Sequence, residues 1–148
     1  MGPIDLTKAP PRSPREEVGR LCMLPRMIDV ARAKLPGGNI GEYQIGRGLS
    51  GLVLAHFGMD VAEFVESVRA AKDDAAVAAA ISARRPEKEN RLLNLRLRRA
   101  TVKDVPDDLR EGFERFYGAN LPADKRVFDV LEEDDLKAFG PKKNRKGR

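Results

Sequence analysis

The spacing of apolar residues along the chain predicts helices almost throughout. Between positions 60 and 72, apolar side chains recur at i, i+3, i+4 and i+7, as on an amphipathic helix; they are Val61, Phe64, Val65 and Val68. Asp60 and Glu63 have the spacing of a capping box at its start. Similar patterns predict helices near 24–35, 49–57, 73–85, 106–117 and 127–131. Segment 92–98 fits a strand as well as a helix, and its length favours helix.

A first helix is predicted from about Pro14 towards Met23. Ser13 is a suitable N-cap, Pro14 suits the first helical position, and Glu16 completes a capping box with Ser13. Pro25 lacks the N–H that a helix interior needs, so this first helix should be kinked or restarted at Pro25. The sequence therefore predicts an all-α fold: a single compact domain of about six or seven short helices, with little or no sheet.

Length and charge predict how the chain is organised. A chain of 148 residues suits one domain. Residues 1–12 hold three prolines and should form an extended arm, residues 13–140 the helical domain, and residues 141–148 a disordered basic tail. Five of the 28 Lys and Arg residues lie in that tail, which leaves 23 against 23 Asp and Glu. The net charge of +5 therefore resides in the tail, and the body is formally neutral.

Cysteine usage and apolar run lengths bear on the compartment. Cys22 is the only cysteine, so an intramolecular disulfide is excluded, and its apolar neighbours predict a buried thiol. No apolar run approaches the roughly 20 residues of a membrane-spanning helix, and residues 1–14 lack the apolar core of a signal peptide. We expect a cytoplasmic protein that makes no contact with a membrane.

No group of residues with the spacing of a known catalytic or metal site is recognisable in the sequence. His56 is the only histidine and has no recognisable partner, so a structural or surface role is expected for it. One His and one Cys exclude the usual zinc sites, and Glu132–Asp135 lacks the spacing of a calcium loop. We predict no catalytic residue, no metal and no cofactor. An enzyme with a cleft near His56 and Glu42 is the alternative.

A glycine-rich segment is the candidate for ligand binding. Residues 46–51 read Gly-x-Gly-x-x-Gly before a predicted helix, whose N-terminal N–H groups suit an anion. No strand is predicted before this segment, so a dinucleotide fingerprint is not supported, and a flexible turn is the alternative. The candidate ligand- or anion-binding residues are Arg26, Arg47, Gly48, Ser50, Glu42 and Tyr43.

The basic tail is the candidate for nucleic-acid contact. Its cations suit nonspecific phosphate binding that weakens steeply with salt, and no aromatic residue is available there to stack on bases. A tail that only aids solubility is the equal alternative. The candidate contact residues are Lys142, Lys143, Arg145 and Lys146.

The order of residues from Asp5 to Tyr43 resembles the small bacterial domain-of-unknown-function family number 5069. The resemblance reappears at Phe57-Gly-Met-Asp60, which is similar to a Phe-x-Gly-x-Asp segment of that family. It implies a compact, mainly helical, cytoplasmic domain and no particular reaction. Relatives typically continue after Gly-Glu-Tyr with a His-Tyr-Asn-Cys-Pro-Leu-Asp type of run, whereas this chain reads Gln44-Ile-Gly-Arg-Gly-Leu49. If that run carries the family's function, this chain has lost or changed it.

The function stays unknown at this level. The favoured hypothesis is a small soluble binding or interaction domain, monomeric or homodimeric, that contacts a small anion or a protein partner. Its expected contact surface is the arginine-rich first third together with Gly41–Gly51. A nucleic-acid-associated accessory protein and an enzyme are the alternatives.

Overall fold

The computed structural model describes residues 1–142. In this part of the chain a short β-hairpin precedes seven α-helices. Its two strands have two residues each, β1 Glu17–Val18 and β2 Leu21–Cys22. The helices are α1 Leu24–Ala33, α2 Gly48–Phe57, α3 Val61–Ala70, α4 Asp74–Ser82, α5 Glu87–Arg99, α6 Asp107–Tyr117 and α7 Val127–Phe139. A short 3₁₀ turn, Val102–Asp104, joins α5 to α6. The predicted all-α domain with little sheet is confirmed.

Local capping signals place the starts of α3 and α4 where the sequence predicts them. The Asp60 carboxylate accepts a hydrogen bond from the Glu63 N–H at 2.7 Å, and the Glu63 carboxylate accepts one from the Asp60 N–H at 3.3 Å. Asp73 caps α4 by accepting from the Ala76 N–H at 2.9 Å. Segment 92–98 lies within α5, so helix was the correct choice there.

The helix predicted over 14–23 is wrong, because this segment turns into the β1–β2 hairpin. The Ser13 hydroxyl does accept from the Arg15 N–H at 3.1 Å, and the Glu16 carboxylate accepts from the Ser13 N–H at 3.1 Å. The capping residues therefore form a real turn, but no helix continues from it. Gly19 and Arg20 both have positive φ, 57° and 63°, which reverses the chain as in a two-residue hairpin turn.

Of the kink or restart predicted at Pro25, the structure shows a helix start and no kink, since α1 begins at Leu24. Pro25 lies in the first turn of α1, where backbone N–H groups have no carbonyl partner within the helix, so the missing N–H of proline costs no hydrogen bond. The residue before the helix, Met23, has a φ of 67°, and its N–H donates to the Pro14 carbonyl at 2.9 Å. The chain thus enters α1 from the hairpin rather than from a preceding helix.

Helix α1 lies at the centre of the core. It packs against α3, α4 and β1, and nine of its ten residues are buried. The largest fully buried side chains include Phe64 of α3, Phe128 of α7 and Ile28 of α1. Because α1 is covered on every side, even its polar residues Arg26 and Asp29, which lie off its apolar stripe, are buried.

The N-terminal residues lie along α1. The Leu6 N–H donates to the Asn39 carbonyl at 2.8 Å, and the Asn39 N–H donates to the Ile4 carbonyl at 3.1 Å. Arg12 closes this segment onto the body through Asp29 of α1 and Asp74 of α4, with its NH1 2.6 Å from the Asp74 carboxylate. These contacts explain how an arm without helix or long strand is held in place.

Within residues 1–142 no single helix is both long and apolar enough to cross a membrane. Helices α2 and α3 reach the required length and composition only as a pair, and they are bent by 80° relative to each other.

Candidate ligand-binding cavity

A cavity of about 470 Å³ lies between α1, the segment 41–50, α6 and α7. Helix α6 covers it with a face of apolar and aromatic side chains, yet α6 contains no fully buried residue. The opposite apolar wall comes from α1 and α7. Apolar residues of the lining are Met23, Met27, Leu49, Leu109, Phe113 and Leu131. The volume is in the range of small-molecule sites.

A buried ion pair forms one polar wall. Arg26 of α1 donates two hydrogen bonds to Asp135 of α7, from NH1 to Oδ2 at 2.8 Å and from NH2 to Oδ1 at 3.3 Å. The Tyr43 hydroxyl donates to the same Asp135 Oδ1 at 2.8 Å. The Arg26 guanidinium also lies over the Tyr43 ring, 5.5 Å from its centroid. These contacts join α1, the 41–50 segment and α7 beside the cavity.

Burial changes the acid–base behaviour of the tyrosines and of one carboxylate. Burial, followed by the nearby Asp135 carboxylate, raises the pKa of Tyr43, so its hydroxyl stays protonated and continues to donate. Burial also raises the pKa of Tyr117. For Asp134, burial and then the negative charge of Asp135 raise the pKa of the carboxyl group above its ordinary value.

Several polar groups of the lining make no hydrogen bond or ion pair with other residues in the described part of the chain. They are the carboxylates of Glu42 and Asp134, the guanidinium of Arg47 and the hydroxyl of Tyr117. Asp134 is half-buried, whereas Glu42 and Arg47 are exposed at the rim. Polar groups that have no protein partner are the ones a ligand can engage.

The glycine-rich segment is explained largely by its own packing. The Ser50 hydroxyl accepts from the Gly46 N–H at 2.9 Å and donates to the Arg47 carbonyl at 2.9 Å. A Cβ at Gly51 would lie 2.8 Å from the Gly46 carbonyl oxygen. The Ser50 hydroxyl is thus engaged in the turn that starts α2. A side chain at position 51 would overlap the Gly46 carbonyl, which explains the glycine there.

The structure brings all six predicted ligand-binding residues to this one cavity. Arg26, Arg47, Gly48, Ser50, Glu42 and Tyr43 all belong to its lining. Three of them are already engaged, since Arg26 and Tyr43 bind Asp135 and Ser50 binds the turn. Their placement leaves open which chemical class of ligand the cavity takes.

His56, the residue considered for an enzyme, does not line the cavity. Its Nε2 lies 3.0 Å from the Asn90 Oδ1, and the Asn90 amide nitrogen donates to the Ser82 carbonyl at 3.0 Å. Since the Asn90 amide nitrogen is the donor to Ser82, the Asn90 oxygen that faces His56 is a hydrogen-bond acceptor. The His56 Nε2 is therefore the donor and carries the proton. Glu42, by contrast, belongs to the lining of the cavity. The residues of the proposed enzymatic cleft are therefore divided between different parts of the molecule.

Sequence reasoning missed the contribution of α6 and α7 to the cavity. Asp134, Asp135 and Tyr117 were not among the predicted residues, although the apolar face of α6 was recognised. A signal was present, since that face carries three aromatic residues on a helix otherwise rich in charge. Asp134 gave no such signal, because it stands in a run of four acidic residues.

The predicted nucleic-acid contacts fall mostly beyond the described residues. Lys142 is described and exposed, while Lys143, Arg145 and Lys146 lie outside the described range. Across residues 1–142, no three His, Cys, Asp or Glu side chains gather as a metal site would require.

Fold and cavity together define a small helical domain whose central helix contributes buried residues to the wall of a mixed polar and apolar pocket. The chain belongs to the DUF5069 family, a domain of unknown function, whose family model matches residues 8–136. That match covers most of the chain and extends well beyond the segment that carries the resemblance in sequence. A comparison with curated proteins finds no match. Membership therefore supplies a family and no reaction.

Proposed function

We propose that this domain binds a small amphipathic molecule in the cavity beneath α6. The observation that carries the proposal is the combination of a volume of about 470 Å³ with a lining that is partly aromatic and partly polar. Ligand pockets are commonly apolar with a few polar groups that fix orientation. Here the apolar walls would take the body of the molecule, and the unengaged groups of Asp134 and Tyr117 would orient its polar end.

The construction of α6 supports this proposal. Its apolar face covers the cavity, but its residues are all exposed or half-buried, and Phe116 remains 49% exposed. A helix held by so few buried side chains gains little from its own packing, so a ligand beneath it would add apolar contact. Burial of apolar surface contributes about 25 cal/mol per Å².

Gly112 of α6 offers a direct test. It lines the cavity, and a Cβ built on it meets no atom within 4 Å. A leucine at this position can therefore extend into the cavity without displacing the backbone. We expect Gly112→Leu to weaken binding of 3-phenylpropan-1-ol, used as a neutral amphipathic probe, by at least about tenfold. The leucine would displace two or more CH₂ or ring groups of the probe, each worth about 0.8 kcal/mol when buried, and about 1.4 kcal/mol is tenfold in affinity. Binding would be followed by titration calorimetry and by NMR amide shifts.

The matched control is Gly112→Ala. Alanine adds only a methyl group and removes the helix penalty of glycine, so it should keep probe binding and raise stability by about 0.5–1 kcal/mol. Equal binding by wild type and Gly112→Leu would contradict a site in this cavity. If alcohol, amine and carboxylate probes of the same length all fail to bind wild type, the proposed function is wrong.

A second candidate function rests on the sequence of residues 141–148. Five cations in eight residues suit nonspecific binding of nucleic-acid phosphates. We propose that such binding, if present, resides in this tail, since the rest of the chain is formally neutral. Binding of a fluorescein-labelled 20-nucleotide DNA by the full chain at 20 mM salt, lost on truncation after Gly140, would support it. Equal, negligible binding by both proteins would exclude it.

We propose a cytoplasmic location as well. Its support is the single, buried and unpaired Cys22, which fits a reducing compartment. Fractionation of cells expressing the tagged protein would test this assignment, and recovery outside the cytoplasm would overturn it.

A further inference from the structure

We infer that the ligand of this cavity is an organic cation, a protonated amine carried on an apolar, aromatic-sized body. This inference rests on the proposed function and specifies its ligand class. It runs against the small anion that the arginines and glycines of the sequence suggest. Three observations carry it: the charge balance of the lining, the unengaged carboxylate of Asp134, and the aromatic residues of α6.

The charge balance of the cavity is negative. Two arginines of the lining face three carboxylates, which gives a net charge of −1; the groups are Arg26 and Arg47 against Glu42, Asp108 and Asp134. Arg26 is the deeper of the arginines, and its guanidinium is already bound by two oxygens of Asp135. Binding an anion there would require breaking a buried pair, which is strongly unfavourable.

Asp134 is the carboxylate best placed for a cation. It lines the cavity, is half-buried, and makes no hydrogen bond or ion pair with another described residue. Two cations lie near it, but Arg26 binds Asp135 and Lys137 lies outside the lining. Burial and the charge of Asp135 raise its pKa despite these two cations, so its charge lacks full compensation. An ammonium group beside Asp134 would supply that compensation and form a charge-assisted hydrogen bond.

Aromatic residues complete the recognition of a cation. Phe113 and Tyr117 of α6 line the cavity with their ring centroids 4.9 Å apart, and Phe116 lies 6.2 Å from Tyr117. Ring faces attract cations within about 6 Å of the centroid. The Tyr43 ring already holds a cation in this way, the Arg26 guanidinium at 5.5 Å. An apolar body with an ammonium end therefore matches both the walls and the charge.

The test compares three probes of one shape and different charge. They are 3-phenylpropan-1-amine, 3-phenylpropan-1-ol and 3-phenylpropanoate, each titrated into the full chain at pH 7 and low salt. We expect the amine to bind about tenfold or more tightly than the alcohol, and the carboxylate to bind most weakly, because hydrogen bonds to charged groups contribute about 1.5–3 kcal/mol. Amide shifts should localise to α6, α7 and the 41–50 segment.

Two isosteric variants separate the cavity from general charge. Asp134→Asn should reduce the preference for amine over alcohol by about tenfold, because the amide keeps the shape of the side chain and its capacity for hydrogen bonds but not its charge. Asp107→Asn is the matched control, since it removes one carboxylate from α6 at a fully exposed position that does not line the cavity. It should leave the preference unchanged.

The outcomes distinguish this inference from the proposed function. Equal binding of amine and alcohol, or tighter binding of the carboxylate, would overturn the cation inference while the binding function stands. Loss of amine preference in Asp107→Asn as well as in Asp134→Asn would also overturn it, since general electrostatics would then explain the effect. Failure of all three probes would overturn the proposed function itself.

Discussion

Arg26 and Asp135 form a buried pair across 109 positions of the chain, with side chains only 8% and 6% exposed. The pair joins the central helix α1 to α7, and the Tyr43 hydroxyl shares the same carboxylate. We predict that Arg26→Ala lowers the free energy of unfolding by about 3–5 kcal/mol, because it leaves the Asp135 charge buried without a cation. Urea unfolding followed by circular dichroism measures this change.

A double substitution distinguishes the charge effect from simple loss of packing. Arg26→Met with Asp135→Leu removes both charges and keeps most of the volume, so we expect it to recover most of the loss. Tyr43 would then lack its acceptor, and Tyr43→Phe in that background should be close to neutral. If the double variant is as unstable as Arg26→Ala, the loss comes from packing and our account of the pair is wrong.

The hairpin turn makes a second prediction. Gly19 has a φ of 57°, and a Cβ on it would lie 2.7 Å from the Cβ of Ala78. Gly19→Ala should therefore destabilise the protein by more than the roughly 1 kcal/mol of the backbone conformation alone. Gly58→Ala is the matched control, since Gly58 has a φ of 64° with no atom within 4 Å of a Cβ.

The excess cost at Gly19 should depend on Ala78. Ala78→Gly creates the missing space, so the double variant Gly19→Ala, Ala78→Gly should show a favourable coupling energy of about 1 kcal/mol or more in thermal unfolding. Additive effects of the two substitutions would mean that the turn moves away from α4 instead of being pressed against it.

Sequence patterns predicted most of the helices because those depend on local chemistry. The capping box at Asp60 and the cap at Asp73 act within one turn, and both are present in the structure. The helix prediction for residues 14–23 was wrong because contacts beyond one turn decide the structure there. Its local capping signal is real, but the positive φ values at Gly19 and Arg20 and the packing of Gly19 on Ala78 commit the chain to a hairpin.

The cavity was only partly predictable because its residues meet through long-range packing. Glu42 and Tyr43 were predicted from a segment that also holds the glycines, and both lie in the lining. Asp134 could not be singled out, since nothing local separates it from its acidic neighbours. The bonding of Arg26 to Asp135 likewise depends on how α1 meets α7, which no local pattern specifies.

Asp134 makes a third prediction, which concerns pH. Burial and the nearby Asp135 raise its pKa in the folded protein, so the folded state binds more protons than the unfolded state above the ordinary carboxyl pKa of 3.8. Stability therefore falls as pH rises through this range. Asp134→Asn should have a higher Tm than wild type at pH 7, and the difference should disappear below about pH 3.8.

Calorimetric melting curves between pH 3 and pH 8 test this prediction. Asp107→Asn is again the control, with no pH-dependent gain expected. A lower Tm for Asp134→Asn at pH 7 would show that Asp134 is compensated inside the protein and would contradict the pH prediction.

Cys22 makes the last prediction, which concerns the reactivity of its thiol. The side chain is 1% exposed, its Sγ donates to the Asn94 Oδ1 at 3.3 Å, and burial raises the thiol pKa to about 11. Since the thiolate is the reactive form, native Cys22 at pH 8 should react with 5,5′-dithiobis(2-nitrobenzoate) at least about a thousandfold more slowly than the urea-unfolded chain. Lys34→Cys adds an exposed thiol as an internal control and should react at once.

Gly19→Ala should accelerate labelling of Cys22 in proportion to its loss of stability, because opening of the core exposes the thiol. Rapid labelling of the native wild type would show that β2 opens without global unfolding.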